Sequence, residues 1–247
     1  MASRGSLFLR FELNIIEHFA GHALYTPAVT RESIVIDLGA NRGVFTDAIM
    51  RAFGCEVILV EPNPEFLPEL EKPGRRVFAL AIGATDGIVR FNIADNSEGS
   101  SVLPLPSESQ FGATLREAIT VPSMSLKSFI EQLDVTHIDV LKLDIEGAET
   151  AALASLTDEM LTRIGQITVE FHDDPRFQFG LHEEVAATIA RLKRLGFTYL
   201  QFNRPRTTNA LFIGPALGLS SATRAWIKAR FDVFRAMRYL PLRFRQA

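Results

Sequence analysis

The chain has 247 residues, 47% of them hydrophobic, with 26 basic and 29 acidic side chains for a net charge of −3. That is enough apolar material for one sizeable α/β core and too little positive charge for wholesale nucleic-acid binding. No window approaches the ~20 apolar residues of a membrane span, Arg10, Glu12 and Glu17 interrupt any signal-peptide core, and a lone Cys55 excludes an intrachain disulfide and favours a reducing, cytoplasmic setting.

In chain order, Phe11 to Phe19 carries helical apolar spacing and predicts a helix over one end of a sheet, within an N-terminal extension of residues 1–32. "IVIDL" from Ile34 reads as a buried parallel strand and residues 44–54 as a helix. "EVILV" is a second strand ending at Glu61, and "EPNPEF" opens another helix with Asn63 as its cap and Pro64 in its first turn. "RVFALAIG" is a third strand. From Asp86 to Val121, "GIVRFNI", a polar loop "ADNSEGSSVLPLPSES" and the short strand "EAITVPS" read as an insertion.

"MSLKSFIEQL" then gives a helix with Ser125 near its start, "HIDVLKLDIEG" a central strand, "AETAALASL" a helix and "GQITVEFH" a fifth strand. "EEVAATIARLKRLG" is a helix ended by Gly196. "FTYLQFN" and "NALFIG" are joined by a link too short for a parallel crossover, so they must form a hairpin. The alternation predicts an α/β, mostly parallel, doubly wound sheet with an antiparallel pair at its end. Residues 216–247 hold seven basic side chains against the single acid Asp232, and Ala222, Trp226, Ala229, Val233 and Leu240 repeat at helical spacing. Such a basic amphipathic helix suits an ordinary surface, a peripheral contact with an anionic membrane, a carrier-linked polyanionic substrate or a partner subunit.

The glycine turn selects among cofactors. A dinucleotide fingerprint needs a glycine where this chain has Asn41 and another where it has Val44. Here Asp37, Gly39, Asn41 and Gly43 alternate instead, with a carboxylate ahead of the turn. Asp37 suits an ammonium and would repel a pyrophosphate, and Glu61 suits the two hydroxyls of a ribose. S-Adenosylmethionine has the ammonium and the ribose and no phosphate, so it is favoured over NAD. Pro62 and Asn63 beside Glu61, and the small Ala81 and Ile82 near the adenine, complete the expected cofactor contacts.

At this point "VIDLGANRGVFT", "VEPNP", "NSEGSS", "LKLDIEGAE" and "VEFH" resemble the successive motifs of the FkbM-type class I methyltransferases, over roughly residues 33–214. The resemblance implies a Rossmann-like fold in a methyltransferase domain of residues 33–215. Its sheet would have seven strands in the order 3-2-1-4-5-7-6, strand seven antiparallel. It also implies S-adenosylmethionine-dependent methylation, usually of a hydroxyl on a sugar or secondary metabolite. It says nothing of either terminal extension.

Strand alternation sends Lys142, Asp144 and Glu146 to one side, an unusual density of charge for a central strand. Such burial demands pairing or a ligand; Lys142, Asp144 and Glu170 are expected in the chemistry, Asp144 at the donor as well, while a structural pair of Lys142 with Glu146 or Asp144 is the rival reading. Glu170 and His172 face the same crevice, and His172 is the expected base because its unperturbed pKa lies near neutral. Asp144, Glu170 and His172 are also the residues that would hold a divalent metal. Asn96, Ser100 and Ser101, with Glu146 and His172, are candidates for contact with the acceptor. Two other functions compete: a non-catalytic cofactor-binding protein of the same fold, and a nicotinamide-dependent oxidoreductase, which Asn41 disfavours.

Overall fold

A computed structural model describes residues 15–96, 99–104, 114–173, 179–202 and 209–238. The chain opens on a hairpin, β1 (Ile16–Phe19) and β2 (His22–Tyr25), followed by β3 (Val35–Leu38), α1 (Val44–Phe53), β4 (Val57–Val60), α2 (Leu67–Leu70) and β5 (Arg75–Phe78). Next come β6 (Ala81–Gly83), β7 (Gly87–Ala94), β8 (Leu115–Ser125), α3 (Leu126–Leu133), β9 (Ile138–Leu143), α4 (Glu149–Ser155) and α5 (Asp158–Thr162). The last elements are β10 (Ile164–Glu170), α6 (His182–Arg194), β11 (Thr198–Gln201), β12 (Asn209–Ile213) and α7 (Ser221–Arg238).

Seven strands form one sheet in the order β11-β12-β10-β9-β3-β4-β5. β12 runs antiparallel to both of its neighbours, and the contacts from β10 to β5 are parallel. This is the order and polarity expected of the fold. β3 and β4 are buried at every position, as befits strands covered by helices on both faces. One face packs against α3, α4 and α6 through Phe129, Leu153 and Leu192, and the other against α1 through Phe45 and Ile49. Ser125 caps α3 by accepting from the Ser128 amide at 3.1 Å.

Four expectations are corrected. The N-terminal extension is not helical over its described part: β1 and β2 pair antiparallel through Ala20 and Gly21, both with positive φ (48° and 88°), as a tight two-residue hairpin requires. Its apolar residues Ile16, Ala23 and Tyr25 pack on Leu200, Leu211 and Ile213, a tertiary demand that overrides local helical spacing; Phe11 to Asn14 lie outside the described residues. The third strand is two, because the chain leaves the main sheet after Phe78 and Ala81–Gly83 pairs with β8 instead. The insertion is thereby a second sheet, order β6-β8-β7. The helix after Pro64 is a single turn, with Asn63 Oδ1 accepting from the Glu65 amide at 3.0 Å ahead of it.

The tail is not a surface appendage. Ile227 and Phe231 of α7 are 0% and 2% exposed among Leu200, Leu211 and Ile213. Arg224 donates to the Ile213 and Gly214 carbonyls at 2.9 and 2.7 Å, and Arg235 to the Gln201 carbonyl at 3.2 Å. The solvent face shows Trp226, half exposed, with the Arg230 guanidinium 4.9 Å from its ring. Leu240, Arg243 and Arg245, like the 204–208 link, lie outside the described residues. Among the described residues no helix is long and apolar enough to cross a membrane.

Candidate active site

A cavity of about 700 Å³ opens beyond the C-terminal ends of β3, β4, β9 and β10, the place where open α/β sheets bind ligands. Gly39 begins the turn that shapes it. Its φ is +75°, and a Cβ there would lie 1.9 Å from the Asp144 carbonyl oxygen, so no other residue fits. Asn41, also left-handed at φ 48°, contributes its backbone: its amide donates to Glu61 Oε2 at 2.8 Å. The Asn63 amide donates to Glu61 Oε1, also at 2.8 Å.

Glu61 is thus fixed by one amide on each oxygen while bordering the cavity. Burial pushes its pKa up to about 7 against the pull of those amides. Gly39, Asn41, Glu61, Pro62, Ala81, Ile82 and Asp144 all border the cavity. Gly43, left-handed at φ +77°, stands at the N-terminus of α1 instead, and Asn63 is buried behind Glu61.

Asp37 departs from expectation. It is 0% exposed and does not border the cavity; Oδ2 accepts from the Thr46 hydroxyl at 2.7 Å and Oδ1 stands 3.0 Å from Lys142 Nζ. Lys142 also donates to the Gly39 and Leu38 carbonyls at 2.7 and 3.3 Å. Burial works against its charge, but Asp37 and Asp144 outweigh that and hold the ammonium protonated. Lys142 therefore ties the glycine turn to β9 while also bordering the cavity, and its close partner is Asp37 rather than Glu146 or Asp144.

The carboxylate left open to the cavity is Asp144. Burial alone would raise its pKa, but Lys142 at 3.8 Å and His22 Nε2 at 3.3 Å hold it well below the usual range. His22 comes from β2, where the sequence reading placed no site residue.

His172 is buried between three carboxylates: Nδ1 donates to Glu149 Oε1 at 2.9 Å, Nε2 faces Glu146 Oε2 at 3.1 Å, and Asp144 Oδ1 is 4.0 Å away. Burial opposes the imidazolium, but Glu149 and Glu146 raise the pKa well above 6.5. Both ring nitrogens thus face carboxylates, an arrangement that favours the imidazolium over the free base expected from the sequence. Glu149, completely buried, also accepts from the Ile145 and Gly147 amides at 3.1 and 3.0 Å and so braces the turn carrying Glu146, whose φ is 51°. Glu149 is the last letter of "LKLDIEGAE" and was given no role in the sequence. Glu170, at the end of β10, borders the cavity, and burial followed by the charge of Asp144 pushes its pKa up to about 7.

Among the acceptor candidates, Asn96, Ser100, Glu146 and His172 border the cavity. Ser101 does not: it is buried, and its hydroxyl donates to the Glu146 carbonyl at 2.5 Å, latching the loop to the turn. Ser97 and Glu98 of the same loop lie outside the described residues. Phe45, Phe66, Phe91 and Phe179 add an aromatic lining that the motif reading did not reach. The proposed metal set of Asp144, Glu170 and His172 is divided between two groups, His22 with Asp144 and Glu170, and Asp144 with Glu146 and His172. The ligand atoms within each lie no more than 4.8 Å apart, close enough to hold a divalent ion.

The model of the methyltransferase FkbM domain matches residues 37–199. The hexuronic acid methyltransferase AglP of Haloferax volcanii is 24% identical over 143 residues, 57% of this chain and 56% of that protein. Methyltransferase 1 of Beauveria bassiana is 23% identical over 163 residues, 58% and 66% of the two chains. The AMB antimetabolite synthetase AmbE of Pseudomonas aeruginosa is 28% identical over 179 residues, 58% of this chain and 8% of that one. The chain thus spans less than two thirds of the length of each of these curated relatives. Among solved structures, a methyltransferase FkbM from Methylobacillus flagellatus superposes with a TM-score of 0.46 at 13% identity, covering 74% of this chain and 44% of the other.

Proposed function

The chain belongs to the FkbM methyltransferase family, and on that premise we propose that it transfers the methyl group of S-adenosylmethionine to a hydroxyl of a sugar or a secondary metabolite. The observation that carries the reading is that two of the carboxylates bordering the cavity match the donor, Glu61 fixed by backbone amides and Asp144 held ionised by Lys142 and His22. Glu61 matches a ribose diol, and Asp144 matches the cationic end of the donor, the role first assigned to Asp37; neither suits a pyrophosphate. The relative that methylates a hexuronic acid supports a sugar acceptor.

In this reading Glu61 and Asp144 would hold the donor, which would supply an electrophilic methyl group to an acceptor oxygen and be left as a neutral thioether. Most of the barrier reduction comes from alignment of the two reactants. The acceptor proton goes to Glu170, whose pKa near 7 balances availability against basicity at neutral pH. His172 acts as a fixed positive centre that orients Glu146 against the acceptor.

The test incubates the protein with methyl-labelled donor and fractionated glycans, lipids and small metabolites. Label in a glycan or small-metabolite fraction, stable to mild base as an ether is, is the expected result. Label confined to nucleic acid or protein would overturn the acceptor class.

A further inference from the structure

His22 reaches the cavity from outside the family domain, whose match begins at residue 37. The β1–β2 hairpin is held for this purpose at both ends. Its left-handed Ala20–Gly21 turn places Ala20 on the cavity wall. At the far end, Tyr25 exchanges two hydrogen bonds with the buried Gln166 of β10: the Tyr25 amide donates to Oε1 at 2.8 Å, and Nε2 donates to the Tyr25 carbonyl at 3.2 Å.

Between these anchors the imidazole of His22 is enclosed on three sides. Nδ1 faces the Thr168 hydroxyl at 3.4 Å, the ring meets Phe45 edge to face at 5.7 Å between centroids, and Nε2 points at Asp144 Oδ2, 3.3 Å away. The ring is 5% exposed, whereas the Asp144 side chain it meets is 28% exposed. A rigid buried partner on one side and open cavity on the other is the arrangement that preorganises a carboxylate for a ligand.

We propose that His22 is a positioning residue of the donor site, fixing the carboxylate of Asp144 toward the cationic end of the bound methyl donor. The inference rests on the donor assignment above and extends the working site to a segment that the family domain does not include. Lys142 Nζ stands 3.8 Å from the same Asp144 Oδ2 that His22 Nε2 faces at 3.3 Å, so His22 is the nearer of two groups that fix this oxygen and with it the direction of Oδ1.

Calorimetric titration of the whole protein with S-adenosylhomocysteine and S-adenosylmethionine tests this. His22→Phe keeps the ring against Phe45 without a nitrogen, His22→Asn keeps an amide that reaches Thr168 but not Asp144, and His22→Gln restores a donor near the Nε2 position. The Phe and Asn variants should bind S-adenosylmethionine about tenfold more weakly, the loss of one charge-assisted hydrogen bond, while the Gln variant stays within about threefold of the parent. The acceptor KM should be unmoved. Combining His22→Phe with Asp144→Asn should weaken binding no further than Asp144→Asn alone, because both remove one interaction. A folded His22→Phe or His22→Asn variant that binds like the parent, or two effects that simply add, would overturn the proposal. A parent protein that binds neither compound would overturn the donor assignment itself, and the inference with it.

Discussion

Lys142 Nζ stands 3.0 Å from Asp37 Oδ1 inside the sheet, with both side chains closed to solvent. The two aspartates expected to meet the donor, Asp37 and Asp144, are therefore divided: one anchors the lysine and the other borders the cavity. Breaking a buried pair leaves an uncompensated charge, so Lys142→Met should cost about 3–5 kcal/mol of stability. The Lys142→Met/Asp37→Asn double variant should recover part of that loss. Urea midpoints measure both, and a near-neutral single variant would remove the pair from the account.

Donor affinity should depend on pH through Glu61. Its folded pKa is raised to about 7, so it is ionised above that value and protonated below it. A carboxylate accepts ribose hydroxyls more strongly than a carboxylic acid does, so the Kd for S-adenosylhomocysteine should weaken as pH falls from about 8 to about 6. Glu61→Gln should flatten that dependence, and Glu61→Ala should cost about 1–3 kcal/mol. A dependence that persists in Glu61→Gln would locate the titrating group elsewhere.

Turnover at saturating donor reads a different group. Glu170 must be ionised to accept a proton, and with its pKa near 7 the rate should rise as pH increases through that region. Glu170→Gln should abolish this limb and slow turnover by about 10² or more, with donor binding nearly unchanged. His172→Gln should cost much less than Glu170→Gln, since the imidazole is held protonated. Activity lost in EDTA and restored by Mg²⁺ or Mn²⁺ would make the acidic cluster a metal site and reassign Glu170.

The tail should prove structural. Phe231→Ala removes a buried ring from the cluster of Leu200, Leu211 and Ile213 and should cost about 3–5 kcal/mol. Truncation after Gly218 also exposes the Ile213 and Gly214 carbonyls that Arg224 satisfies, so the cooperative melt should be lost. A truncated protein that melts like the parent would return α7 to the surface.

What was legible in the sequence follows from where the physical signal lies. Runs such as "VIDL" and "VILV" announce buried parallel strands because both faces of the sheet are covered, and the short link before Asn209 forced a hairpin and with it the strand order. The first hairpin was illegible because Ala20–Gly21 lacks the usual asparagine or aspartate signal, and because Ile15, Ile16 and Phe19 happen to repeat at helical spacing. At the site, glycines and carboxylates could be located from their spacing. Which carboxylate faces the cavity could not, since that depends on tertiary partners, Thr46 and Lys142 for Asp37 and His22 for Asp144. His172 reads as a base from its residue type and its place at the end of a strand, whereas the carboxylates that favour its protonated form, Glu149 and Glu146, lie 23 and 26 positions away in the chain.

S-Adenosylmethionine is the proposed occupant of the cavity between Glu61 and Asp144. Calorimetric titration of the intact protein with S-adenosylhomocysteine and, separately, with NAD tests it most directly. One-to-one binding of S-adenosylhomocysteine with micromolar affinity, weakened by Glu61→Ala, and no heat from NAD is the expected result. Tight NAD binding with no response to S-adenosylhomocysteine would contradict it.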